Sequence, residues 1–193
     1  MQVISSLLGA GNPPEEFSSA PKSPGLPAGY RSHRLLYNKA AAALILELRA
    51  RSIFDPTRLF ARHKDKDAYE QVGNPNERVS YQSPVTCESL PLLMFNSMKL
   101  EKGGDWEPVY SFNLITKELA VCVSREGLRF SEPHGLLWIL DLVSLSEDAR
   151  ILYVKIGIEK IVSGGGIVHY YLARVDLPDQ EVTLMSRLQD IHF

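Results

Sequence analysis

Apolar and polar positions change rhythm three times along this chain. The first thirty residues have none: Pro13, Pro14, Pro21, Pro24 and Pro27 stand among Ser and Gly. Such a segment buries too little surface to offset its ordering entropy. Residues 1–30 therefore read as a flexible arm, or one that orders on a partner. From Ser32 the pattern turns apolar and rich in helix formers, with Leu35, Leu36, Ala40, Ala43, Leu44, Leu46 and Leu48. The expectation is a helix over Leu35–Ile53, with Ser32 as N-cap and Asp55-Pro56 as stop. Its strip Ala40–Ala43 would let a second helix approach closely. The segment RHKDKDAYEQVGNPNERVS (Arg62–Ser80) is polar and reads as a solvated connector, so that 31–80 forms one helical unit. From Tyr81 onward, runs of Val, Ile, Leu, Tyr and Phe alternate with turn clusters, and 81–193 reads as β.

The β part contains a repeat. Leu92-Leu93-Met94-Phe95 aligns with Ile151-Leu152-Tyr153-Val154, and Leu100-Glu101-Lys102 with Ile158-Glu159-Lys160. A glycine run follows each. Phe112-Asn113-Leu114 then matches Val175-Asp176-Leu177, and Glu118-Leu119 matches Glu181-Val182. Each copy reads as strand, hairpin loop, strand, tight turn, strand. Asn113 and Asp176 stand just before the tight turns, where a short polar side chain can bond the turn backbone.

SEDARILYVKI (Ser146–Ile156) resembles the signature that opens the second strand in blades of TolB-type and WD40-like propellers. YYLARVDLPDQEVTLMSRL (Tyr170–Leu188) and VYSFNLITKELAVCVS (Val109–Ser124) resemble the strands that follow it. The resemblance spans Tyr81–Leu188. It departs at Ala149, Lys117 and Gln180, which stand where a turn glycine is usual, and Cys87–Pro91 keeps only the outline. The fold class it implies is mainly β with an N-terminal helix: two antiparallel blade-like meanders, too few for a closed single-chain propeller. Bare sheet edges would need cover from the helix, the arm or a partner.

Composition adds mostly exclusions. The 193 residues carry a net charge of -2, so no basic surplus points to nucleic acid, and Arg31, Arg34, Lys39, Arg49 and Arg51 read as a solvated face. Two cysteines, Cys87 and Cys122, make no disulfide framework. The N-terminus lacks a secretory pattern and no run of about 20 apolar residues occurs, so no membrane is expected and the cytoplasm is the default. No nucleophile elbow, phosphate-binding glycine loop or zinc motif appears, and neither cofactor nor metal is expected.

The best cluster of chemistry comes from the hairpin loops: Trp106 and Glu107 near the first glycine run, His169 and Tyr170 after the second, and His134 in a third loop. Aromatic rings there could stack on a sugar, and a His beside a carboxylate could move protons. The same residues could simply cover the sheet. The function expected is a non-catalytic interaction module or subunit of an oligomer, associating through helix 35–53 and sheet edges. The alternative is a subunit related to propeller hydrolases or lyases, with a sugar-like ligand held by the loops.

Overall fold

A computed structural model describes residues 29–50, 55–73, 79–99, 106–124, 127–130, 136–162 and 165–192. The proline-rich arm at 1–28 and His134 lie outside these residues. The described chain forms twelve strands: β1 (Tyr30–Asn38), β2 (Ala43–Ala50), β3 (Arg58–His63), β4 (Glu70–Gln71), β5 (Val79–Thr86), β6 (Leu92–Lys99), β7 (Trp106–Asn113), β8 (Leu119–Val123), β9 (Leu136–Leu145), β10 (Ile151–Val162), β11 (Gly165–Asp176) and β12 (Glu181–His192). They pair antiparallel with their sequence neighbours in three four-stranded sheets, β1–β4, β5–β8 and β9–β12, and Arg129 adds a parallel bridge to Glu181 at the start of β12.

The helix expected over 35–53 is absent among the described residues, which leave out 51–53. Leu35 lies in β1, residues 39–42 form a turn, and Ala43–Ala50 is a strand whose residues 43–48 are all buried. The reason is physical. A strand covered on both faces has no polar alternation, so its continuous apolar run imitates one side of a buried helix. Propensity favoured the helix because of the alanines, but packing on two sides decides the outcome. The expectation of two meanders is corrected with it: the first sheet is a third copy.

One backbone bond recurs in all three copies. Lys64 N–H donates to Ala42 O at 3.0 Å, Leu114 N–H to Pro91 O at 2.8 Å, and Leu177 N–H to Arg150 O at 2.8 Å. In each case the residue after the third strand bonds the residue before the second. The registers agree: Ala43 pairs His63, Leu92 pairs Asn113, and Ile151 pairs Asp176.

The sheets stack in chain order. Ala43, Ile45, Leu59 and Ala61 of the first pack against Tyr81, Leu93, Phe95 and Phe112 of the second. Val85, Met94, Val109 and Val123 on the opposite face of the second sheet pack against Leu142, Leu152, Val154, Ile156 and Val175 of the third. The middle sheet is thus sealed on both sides. Leu46, Leu48 and Phe60 make a smaller cluster with Tyr30 and Tyr69 on the first sheet's other face.

The turns show where local chemistry carries the fold. Asn113 Oδ1 accepts from Ile115 N–H at 2.9 Å and Thr116 N–H at 3.0 Å, as its position suggested. Asp176 does not act so: its Oδ1 is buried without a hydrogen-bond partner. Lys117, Ala149 and Gln180, the three residues in place of turn glycines, have φ of 62°, 54° and 52°. The left-handed region costs an L-residue about 1 kcal/mol relative to glycine. Ala149→Gly is therefore expected to raise unfolding stability by about 0.5–1 kcal/mol in urea, less what its partial burial contributes. A loss of stability would show that the methyl's packing outweighs the strain.

Candidate protein interface

Side-chain bonds tie the sheets together along one end of the stack. Asn38, at the first turn of the first sheet, donates to Thr86 Oγ1 at 2.6 Å, Cys87 O at 3.0 Å and Leu90 O at 2.8 Å in the equivalent turn of the second. Ser89 in that turn donates to Glu147 O in the equivalent turn of the third. Within the third turn, Ser146 donates to Asp148 Oδ1 at 2.6 Å, and Arg150 N–H to the same oxygen at 3.1 Å. These bonds, the hydroxyl's first, hold the exposed Asp148 carboxyl below its usual range.

A second tie joins Glu70 of β4 to Lys117 in the β7–β8 turn. The hydrogen bond from Lys117, aided by the charges of Lys117, Lys66 and His63, lowers the Glu70 pKa against the opposing effect of desolvation. The sign follows from linkage. A carboxyl depressed in the folded state stabilises above its unfolded pKa of about 4.3 and loses that contribution as pH falls through the folded value. The wild type is accordingly expected to be more stable than Lys117→Met at neutral pH, with the gap narrowing under acid. A gap constant down to pH 3 would remove the tie as a contributor. The pair lines a shallow crevice with His63, Gln71, Phe112 and Leu114.

Deeper in the stack, first strands carry the contact. β5 meets β1, β2 and β3, while β9 meets β5 and β6. Each later sheet leads onto the preceding one with its first strand. Each first strand is also irregular: at His33 in β1, at Ser83-Pro84 in β5, and at Val143 and Leu140 in β9. An irregularity leaves main-chain groups unpaired within its own sheet. The preceding sheet supplies a donor in both interfaces. Arg34 Nη1 donates to Pro84 O at 3.2 Å, and Asn96 Nδ2 donates to Leu140 O at 3.3 Å.

These donors share one row. Glu47, Asn96 and Lys155 are each the fifth residue of a second strand, and Arg34 pairs with Glu47 across the ladder. Glu47 is 1% exposed, on the face of Ala43 and Ile45, and its charge meets Arg49 Nε at 3.5 Å. Neither Glu47 oxygen accepts a hydrogen bond. Asn96 is likewise buried.

Lys155 is different. Strand alternation in β10 puts Leu152, Val154, Ile156 and Ile158 against the second sheet. Tyr153 and Lys155 therefore face outward, with Leu172 and Arg174 opposite them on β11. Lys155 Nζ lies 5.1 Å above the Tyr170 ring. Tyr153, Leu172 and Tyr170 are only half-buried. At the irregularities of β9 and β12, Leu140 is 37% and Met185 53% exposed.

The loop cluster expected from the sequence is dispersed. His169 and Tyr170 lie inside β11, which already begins at Gly165, and consecutive strand residues point to opposite faces. His169 Nδ1 lies 2.9 Å from Arg187, and its ring meets Tyr171 edge-on at 6.5 Å. Trp106 and Glu107 open β7, with Trp106 opposite Met98 in register; their side chains are outside the described set, as is all of His134. Cys87 is buried, and burial alone pushes the Cys122 thiol up to about 11. Among the described residues no three His, Cys, Asp or Glu side chains gather as metal ligands. Nor is any helix among them long and apolar enough to cross a membrane.

No family model and no curated protein matches the chain. Among solved structures it is similar to a protein of Agrobacterium tumefaciens described as TolB, at 11% identity and TM-score 0.35, over 78% of this chain and 62% of that one. It is also similar to an ulvan lyase, a polysaccharide lyase, at 8% identity and TM-score 0.36, over 83% of this chain and 55% of that one. A second structure of that lyase, with a bound saccharide, gives 7% and 0.34. The chain spans 55–62% of the length of these proteins. At such scores the likeness decides neither propeller type nor function.

Proposed function

We propose that the three sheets are consecutive propeller-type blades of a non-catalytic module, and that the module works by binding protein through the outward face of the third sheet. One observation carries the reading. The like-facing surfaces of the first two sheets are each covered by the next sheet, whereas among the described residues no sheet covers the half-buried Tyr153, Tyr170 and Leu172 of the third. Side chains of this kind, large, apolar and aromatic with polar tips, are what interface centres use.

Capture experiments with the full chain as bait test it. Tyr153→Glu with Leu172→Arg should abolish the specific protein recovered from its own cell extract. Val121→Glu, at an exposed position of edge strand β8, should leave that recovery unchanged. Equal recovery by wild type and the face variant would contradict the proposal.

A further inference from the structure

The two interfaces inside the chain follow one rule. A later sheet brings the irregularity of its first strand over the fifth-residue row of the sheet before it, and a side chain from that row donates to the main-chain carbonyl there. The third sheet has the row and a donor, Lys155, on its outward face. The first sheet has the other half: the β1 irregularity at His33, with Ser32 and His33 exposed and Leu35 45% exposed on the β1 surface turned away from the second sheet. The alternation confirms the facing, since Leu36 packs toward the second sheet and Leu35 pairs with Leu46 of the opposite cluster.

Resting on the interaction reading above, we infer that the occupant of the outward face is a second copy of this chain, seated head to tail. Its β1 lies over β9 and β10, and Lys155 of one copy donates to the carbonyl at the His33 irregularity of the other. The seat continues the interface series already built into the chain, one sheet further on. It also matches in character: Leu35 and Tyr37 of β1 meet Tyr153 and Leu172, and β1 carries no carboxylate that the seat would bury. Two copies so joined form a ring of six sheets with two identical seats, and closed rings of four to eight blades are the ones that close.

The experiment uses the full chain carrying Cys122→Ser, which leaves only the buried Cys87. One preparation carries Lys155→Cys, the other His33→Cys. Under mild oxidation the mixture is expected to give a disulfide-linked dimer, and neither preparation alone should give one. In sedimentation the wild type should run at twice the chain mass at micromolar concentration. Lys155→Met should weaken that association about a hundredfold, about tenfold for the charge-assisted hydrogen bond lost at each of the two seats. Cross-linking by Lys155→Cys alone would mean that like faces meet, and would overturn the seat. So would a strictly monomeric wild type. If the chain is monomeric while the face substitutions still abolish capture of a foreign protein, self-association falls and the interaction reading stands. If capture is also indifferent to the face, both fall.

Discussion

Replacing Tyr81 by alanine will cost about 3–5 kcal/mol of unfolding stability, the range for deleting a fully buried aromatic side chain. Tyr81 is 0% exposed and stands where the first sheet meets the second. Its ring lies 5.0 Å from Phe95 at 68° and 6.2 Å from Tyr110 at 85°, edge-on to both. Its N–H holds Thr57 O at 3.0 Å, which fixes β5 against the β2–β3 connection. A small domain has only about 5–15 kcal/mol in total, so the change removes a large share. Gly73 gives an independent check. It has φ of +80°, and a Cβ there would lie 2.6 Å from the Tyr81 ring. Gly73→Ala should therefore cost about 2 kcal/mol in the wild type, from backbone strain plus the clash. The cost should shrink in the Tyr81→Ala background, where the clash is gone. Additive costs would mean that glycine and ring are not in contact.

Asn38→Ala is expected to cost about 2–4 kcal/mol, because it strands several buried partners at once. Asn38 is 0% exposed; its amide serves Thr86, Cys87 and Leu90, and its Oδ1 accepts from Ala41 N–H at 2.7 Å. Asn38→Asp should be worse at neutral pH, since a carboxylate would face the carbonyls of Cys87 and Leu90 without a proton to give. Chemical denaturation of the three proteins decides it: a loss below about 1 kcal/mol for alanine would mean that the turn-to-turn tie contributes only an ordinary hydrogen bond.

The sequence showed the second and third sheets well because their turns are written in side chains. Leu92 and Ile151 do open equivalent strands, and Asn113 caps its turn as a residue of that type should. Asp176 sits in the same register position but spends its carboxylate beside Arg174, 3.8 Å away. The first sheet was hidden for a different reason. β2 is covered on both faces, β4 has two residues, and the β1–β2 turn is made largely of alanine, which advertises helix. The candidate cluster failed at a strand boundary. β11 runs back to Gly165, so His169 and Tyr170 alternate across a sheet instead of sharing a loop. The row of Glu47, Asn96 and Lys155 becomes visible only once the first copy is aligned, as one polar residue at the fifth place of three apolar strands.

Glu47 marks where that row is least settled. A buried carboxylate whose nearest cation is a half-exposed arginine 3.5 Å away is a poor bargain for stability. Glu47→Met, close in volume, is expected to raise the midpoint of thermal unfolding. A fall would show that the carboxylate organises the first interface.

The stacking of three equivalent sheets is tested most directly by nuclear Overhauser contacts in the full chain. The prediction is that the side-chain amide of Asn38 sees Thr86 and Leu90, that of Asn96 sees Leu140, and residues 43–50 show cross-strand contacts to 58–63. Helical contacts along residues 40–50, or no contact from Asn38 and Asn96 into the following sheet, would contradict the account.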